Sequence, residues 1–454
     1  MLAPQSKPYL SIVVSSRNDN HGGDLNRRTQ TFINSVAEQC QRHRLRAELI
    51  FVEWNPPEDR GPLADELDWP DCGGWCSYRI ITVPREVHLG LACGDKLPLY
   101  QMLAKNVGIR RALGEHVLAT NVDLIFSNEL AAWLAKRPLK QGHYYRTDRY
   151  DVPMDVMGLQ GSDEQLTFCR NNLLRVHTKY GTIDGADWSY TPLPGIAWWR
   201  HMRQKIRHVL SDRNEARGPR APRPPVLRRL GSAVWNMSPR NAVRYSARMG
   251  RLSVRLARGT ARLAKRIAFH YAKVSLASIP RAVRFAVRPT QWKRASLMGL
   301  KRRLRNWTNP LGRMHTNGCG DFTLMSREDW SRLGGYAELE IFSWHLDSLL
   351  VYSAFHSGML ERHIPHHLYH IEHRGGWTPE SADGLWKRLR EKEIPFLTNE
   401  DLDLLHERIQ EAEGVYEFND QNWGMAHREL PDEVIAPKMA DLEPSGIANS
   451  NRAA

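Results

Sequence analysis

The residues of this sequence that could do chemistry fall into three groups. The first is acidic and sits where apolar runs end: Asp123 just after His116–Asn121, Glu53 at the close of Glu48–Glu53, and Asp19 in the polar stretch after residues 9–16. Carboxylates are ligands for hard divalent cations such as Mg2+ and Mn2+, and they can also take a proton from a substrate hydroxyl. The second group is a crowd of imidazoles: His363, His366, His367, His370 and His373. An imidazole beside Asp123 would favour Mn2+ over Mg2+. The third is Cys72 and Cys76, separated by Gly-Gly-Trp. No second pair of close ligands follows them at the usual spacing, so they fall short of a zinc site.

The elements that must position these groups can be read from hydrophobic pattern. Residues 9–16, Glu48–Glu53, Tyr78–Val83 and His116–Asn121 are expected to be buried strands. Helices are expected over Arg27–His43 and Tyr100–Leu113, the latter stopped by Gly114, and over residues 129–136, capped by Asn128. Strands alternating with helices predict an α/β fold with parallel strands, whose ligands bind at the carboxyl ends of the strands. That rule singles out Arg17–Asp19, Glu53 and Asn121–Asp123. Toward the C-terminus a glycine-rich loop over His315–Ser326 enters a strand. Helices are expected over Arg327–Leu333 and Asp347–Ser357, a strand over Leu360–Ile364, and a polar loop over Tyr369–Trp377. Two more helical stretches cover Gly384–Glu393 and Asn399–Glu411, and residues 431–454 are expected to be a disordered tail.

Charge is distributed unevenly over the 454 residues. The net charge is +14, yet Arg200–Arg313 holds 30 basic residues against two acids, Asp212 and Glu215, so the rest of the chain carries −14. Within that stretch Arg244, Arg248, Arg251, Arg255, Arg258, Arg262 and Lys265 recur at alternating spacings of four and three, one face of a helix, with an apolar stripe beside them. Residues 199–313 therefore read as a basic amphipathic insert, either lying on an anionic membrane surface or solvated and partly disordered. Nucleic acid is the weaker alternative, because the insert has neither zinc-finger spacing nor an RNA-recognition aromatic motif. No run approaches the 18 apolar residues of a membrane span. The first residues lack the regions of a signal peptide, so the six cysteines are expected reduced and the protein cytoplasmic, peripheral at the inner face of the plasma membrane.

Taken in order, several of these segments resemble a glycosyltransferase of the GT-A fold, close to the family 2 type, over about residues 8–198 and 314–377. Ser11-Ile12-Val13-Val14-Ser15-Ser16-Arg17-Asn18 is similar to the family's first strand and turn. Glu48–Glu53 is similar to its second strand, which ends in an acid that contacts the nucleotide base. Ala104-Lys105-Asn106-Val107-Gly108 resembles its Ala-x-Asn-x-Gly helix, and that helix leads to a strand ending in Thr120-Asn121-Val122-Asp123, where the family has its metal motif. Gly320-Asp321-Phe322 followed by Gly334-Gly335-Tyr336 resembles the acceptor-side segment of galactosyltransferase-like members. Asp347 stands eleven residues before Gly358, the family's spacing for a catalytic acid, and Tyr369-His370-Ile371-Glu372-His373 resembles its late metal-binding loop.

The resemblance implies a Rossmann-like GT-A sheet with flanking helices, split into a nucleotide-sugar half at 1–198 and an acceptor half at 314–430. It implies transfer of a sugar from a nucleotide-sugar donor to a hydroxyl acceptor, a glycan or glycolipid, with inversion. Mn2+ or Mg2+ would sit at Asp123 with His370 or His373, and Asp347 would be the catalytic base. Arg17, Glu53, Lys105, Asn106 and Asn121 would contact the nucleotide sugar, and Asp321 and Trp344 the acceptor. The chain departs from the family pattern in three places. Asn121 replaces the first acid of Asp-x-Asp, Leu346 replaces the Glu before Asp347, and Trp54 follows Glu53 where a second acid is usual. These departures leave open a protein that binds a sugar or nucleotide without transferring it.

Overall fold

Burial on both faces explains why the first strands are nearly continuous apolar runs. β1 (Leu10–Ser16) sends Ile12 and Val14 into one core with Leu49, Phe51 and Phe32, and Val13 into another with Ile50, Val52 and Val107. β2 (Ala47–Trp54) pairs with it in parallel, β3 (Cys76–Val83) pairs in parallel with β2, and β4 (His116–Thr120) pairs in parallel with the other side of β1. The helix Leu25–His43 covers the first core with Phe32, Ile33, Val36 and Cys40. The helix Gln101–Arg110 lies over the second core so closely that a Cβ at Gly108 would stand 2.5 Å from Val13 Cγ1. Only glycine permits that approach.

The remaining strands are β5 (Leu124–Phe126), β6 (His143–Val152), β7 (Arg175–Thr178), β8 (Gly181–Asp184), β9 (Tyr190–Pro192), β10 (Phe322–Ser326), β11 (Leu360–Ile371) and β12 (Asp432–Ile435). The sheet runs β12-β3-β2-β1-β4-β10-β6-β7-β8-β9, with β11 joined to both β5 and β6. The fold is thus mixed α/β around one large sheet. The expected parallel pairing holds from β3 to β4. Beyond β4 the sheet turns antiparallel, since β10 runs against both β4 and β6. The strand order reverses direction between β1 and β4, and in open α/β sheets the crevice at such a reversal is where ligands bind.

The computed structural model describes residues 7–193, 314–373, 379–412 and 414–437. The described residues belong to one compact unit. The basic stretch 199–313, with its expected amphipathic helix and membrane contact, lies outside the described residues. Among the described residues no helix is long and apolar enough to cross a membrane.

Three expectations are corrected. Residues from 431 onward are not all tail: Asp432–Ile435 form β12 on the free edge of β3, where Arg79 Nη2 donates to Asp432 Oδ2 at 2.6 Å. An exposed strand edge invites such a partner, and four polar-flanked residues gave little apolar signal for it. Tyr369–Trp377 is not a loop from its start, because β11 continues through Ile371 after a register shift between Ile364 and Leu368. The helix Asn128–Ala135 is capped by Ser127, whose Oγ accepts from Leu130 N at 3.2 Å, and Asn128 begins the helix itself.

Candidate functional site

Asp123 stands in the three-residue connection between β4 and β5, at the carboxyl end of the parallel strands. Sheet register brings the late histidines to it. β11 pairs antiparallel with β5, placing His370 opposite Leu124, and Ile371 N donates to Asp123 O at 2.9 Å. His373 Nε2 then lies 3.3 Å and His370 Nε2 3.7 Å from Asp123 Oδ2. Arg28, 1% exposed on the helix after β1, donates from Nη1 to the same oxygen at 3.2 Å. The other oxygen, Asp123 Oδ1, is buried with no hydrogen-bond partner. Burial would raise the pKa of Asp123, but His370, His373 and Arg28 together outweigh it and hold the carboxyl well below its usual range.

Asp151 on β6 supports this group from behind. It accepts from His370 Nδ1 at 3.1 Å and His177 Nε2 at 2.9 Å, and it pairs with Arg149 Nε at 2.9 Å and Arg175 Nε at 3.1 Å. Arg175 also pairs with Glu372. When Nδ1 of His370 carries the proton shared with Asp151, Nε2 presents its lone pair toward Asp123. A carboxylate bonded to the far nitrogen is the usual support for a metal-binding histidine. Asp123, His370 and His373 each offer a ligand atom, and those atoms lie within 4.8 Å of one another; Asp151, His370 and Glu372 form an overlapping group with the same property. The donor set and the orphaned Asp123 oxygen both suit a divalent cation.

Lys105 forms the floor. It is fully buried, and its Nζ donates to Asn121 Oδ1 and to Gly320 O, both at 2.8 Å. Asn121 Nδ2 donates to Asp321 Oδ1 at 2.6 Å, and Arg149 Nη1 pairs with Asp321 Oδ2 at 2.8 Å. Burial lowers the Lys105 pKa to about 8, against the opposing pull of Asp321, Asp347 and Asp123. All three acids therefore act on one ammonium. Asp347 lies half-buried in the first turn of the helix Leu346–His356, with Oδ1 accepting from Ser348 N at 2.8 Å. Its Oδ2 is 3.2 Å from where a Cβ on Gly320 would stand, so a side chain at residue 320 would crowd that carboxylate. His345, the residue before that helix, holds φ at 70°, a left-handed conformation that costs a non-glycine residue about 1 kcal/mol or more.

The other expected site residues make bonds of their own within the fold. Glu53 is 2% exposed, and its Oε1 accepts from Leu63 N at 2.9 Å; burial raises its pKa. Arg17 is half-buried, donates from Nε to Asn55 O at 2.7 Å and pairs with Asp19 at 3.1 Å. Both lie at the carboxyl ends of β1 and β2. Asn106 is fully occupied within the fold: Nδ2 donates to Tyr336 O and Glu338 Oε1, and Oδ1 accepts from Tyr336 N. It ties the helix to the turn after Gly334-Gly335, with both amide hydrogens used inside the fold. Asp321 is buried at the base of the site on Arg149 and Asn121. Trp344 packs edge-to-face on Trp386 at 5.1 Å and donates from Nε1 to His345 Nε2 at 2.9 Å. Leu346, in the place of the missing acid, is buried in the core.

Arg28, Arg149, Asp151, Arg175, His177 and Glu372 are site residues that sequence reasoning missed. The one available signal was the alternation of Arg149 and Asp151, which puts both on one face of a strand. Comparison of the sequence with protein-family models finds no match, and comparison with curated proteins finds none either.

Proposed function

We propose that this chain is a glycosyltransferase of the GT-A type, moving a sugar from a nucleotide-diphosphate donor to a hydroxyl acceptor by single displacement with inversion. The observation that carries the reading is the meeting of Asp123 with His370 and His373, residues about 250 positions away, beside a buried Asp123 oxygen that lacks a partner. A bound Mn2+ or Mg2+ would be held by Asp123 with His370 and His373, Mn2+ being favoured by the imidazoles, and it supplies Lewis-acid neutralisation of a diphosphate leaving group. The protein's own residues do the remainder. Lys105 and Arg28 add fixed positive charge where the diphosphate charge grows. Asp151 orients His370, and Arg149 holds Asp321 and, through it, Asn121. Asp347, acting on the same ammonium as Asp123, takes the proton from the attacking hydroxyl as it approaches the sugar carbon opposite the leaving oxygen. A basic insert at 199–313 fits an acceptor assembled at a membrane, a surface polysaccharide or a glycolipid.

A second reading, a sugar- or nucleotide-binding protein without turnover, is favoured by one observation. Asn121 stands where a second carboxylate would, and its amide is already spent on Lys105 and Asp321. Donor hydrolysis and transfer over a panel of nucleotide-diphosphate sugars, with and without Mn2+, separates the two. Transfer predicts Mn2+-dependent turnover that falls roughly 100- to 10,000-fold in Asp347→Asn. Equal turnover in both proteins removes Asp347 as the base. Calorimetric binding of a nucleotide with no turnover on any acceptor establishes the second reading.

A further inference from the structure

A second cluster of ligating side chains shares no residue with the Asp123 site. Asp148 on β6, His315 just after the basic stretch, and His363 on β11 each offer a ligand atom, and these atoms lie within 4.8 Å of one another. His363 Nε2 is 3.2 Å and His315 Nε2 3.7 Å from Asp148 Oδ1. Asp148 and Asp151 are three apart on β6, so their side chains leave the strand on opposite faces.

An independent observation points to a ligand. His315 is 0% exposed, yet neither of its ring nitrogens has a hydrogen-bond partner. Leaving a buried polar group unsatisfied is costly, and a bound ion would satisfy it. Its position is not slack: the backbone N donates to Glu361 Oε2 at 2.7 Å, and the carbonyl accepts from Arg146 Nε at 3.0 Å. Those bonds hold the backbone that carries the ring, whose Nε2 faces Asp148.

We propose that Asp148, His315 and His363 bind a second divalent ion of the zinc type. Two imidazoles and a carboxylate suit Zn2+, whereas Mg2+ and Ca2+ take oxygen ligands. The His363 side chain is 41% exposed, so water can complete the coordination. The ion would fasten β6 and β11 to the segment that begins at Met314. It would be a structural clamp on three stretches far apart in sequence, and it does not depend on the transfer reading.

The probe is Zn2+ itself, with full-length protein stripped by chelator, dialysed against Zn2+ and assayed by elemental analysis. His363 is at the surface, so His363→Ala keeps the fold, which circular dichroism checks. His370→Ala removes a ligand from both groups at the other site and serves as the background. The expected result is that His370→Ala still binds Zn2+ and gains thermal stability from it. His363→Ala binds one ion fewer than wild type, and His370→Ala/His363→Ala binds at least about 10- to 100-fold more weakly than His370→Ala alone. His315→Gln should repeat the loss. Equal Zn2+ content in wild type and folded His363→Ala, or no Zn2+ taken up by folded His370→Ala, would overturn the proposal.

Discussion

The two sides of the central sheet are built for different work. From β3 to β4 the strands are parallel and apolar, and they contribute Asp123 only where they end. From β10 to β9 and along β11 they are antiparallel or mixed and carry charge: Arg149, Asp151, Arg175 and His177 on the strands join Asp321, just before β10, in one network. The first side takes its stability from buried hydrocarbon. The second uses ion pairs to aim imidazoles and carboxylates at a point the first side supplies. A site at their seam therefore combines a rigid wall with a polar, oriented one.

Substitutions on the two sides should have different signatures. Phe51 is fully buried on β2, with its ring edge-to-face on Trp69 at 5.4 Å. Phe51→Ala should lose about 3–5 kcal/mol of stability in urea unfolding while Mn2+ affinity per folded molecule holds. Asp151→Asn should do the reverse in emphasis: Mn2+ binding, followed by calorimetry, should weaken by roughly 10- to 100-fold as His370 loses its orienting carboxylate. If Phe51→Ala weakened Mn2+ binding as much as Asp151→Asn, the division of labour would be wrong.

The pH dependence sharpens the same contrast. Burial and Arg149 push the His370 pKa down, but Asp123 and Asp151 outweigh them and raise it. The metal-free imidazole thus keeps its proton above the ordinary histidine range, and binding a cation must expel that proton. Mn2+ affinity should fall as pH drops through this raised value, by about tenfold per pH unit for one proton released. An affinity flat between pH 8 and 6 would place the cation away from His370. The smallest effect belongs to the outer edge. Asp432→Ala removes a partly exposed partner of Arg79 and should cost about 0–1 kcal/mol, with no change in Mn2+ binding.

The same division decided what could be read from sequence. β1, β2 and β4 were legible because covering both faces demands an unbroken apolar run, and Asp123 was legible because it follows one. β6 was not, since Arg146, Asp148, Arg149 and Asp151 make it look like surface although all but Arg149 are buried outright. β11 was read only to Ile364 because its histidines resemble a polar loop. Arg28 could not be found from any pattern, since nothing along the chain shows that a helix residue after β1 reaches Asp123. Asp347 was reached by its distance from Gly358 and by resemblance. What ties it to the site is Gly320, whose carbonyl accepts from Lys105 Nζ and whose backbone lies against Asp347, a juxtaposition visible only in three dimensions.

The central claim is that Asp123, His370 and His373 form the cation site at the seam. Anomalous diffraction from crystals soaked in Mn2+ tests it most directly. The account predicts a manganese peak within coordination distance of an Asp123 oxygen and at least one of the two imidazoles, absent in Asp123→Ala. A peak bound elsewhere, or one that persists unchanged in Asp123→Ala, would contradict it.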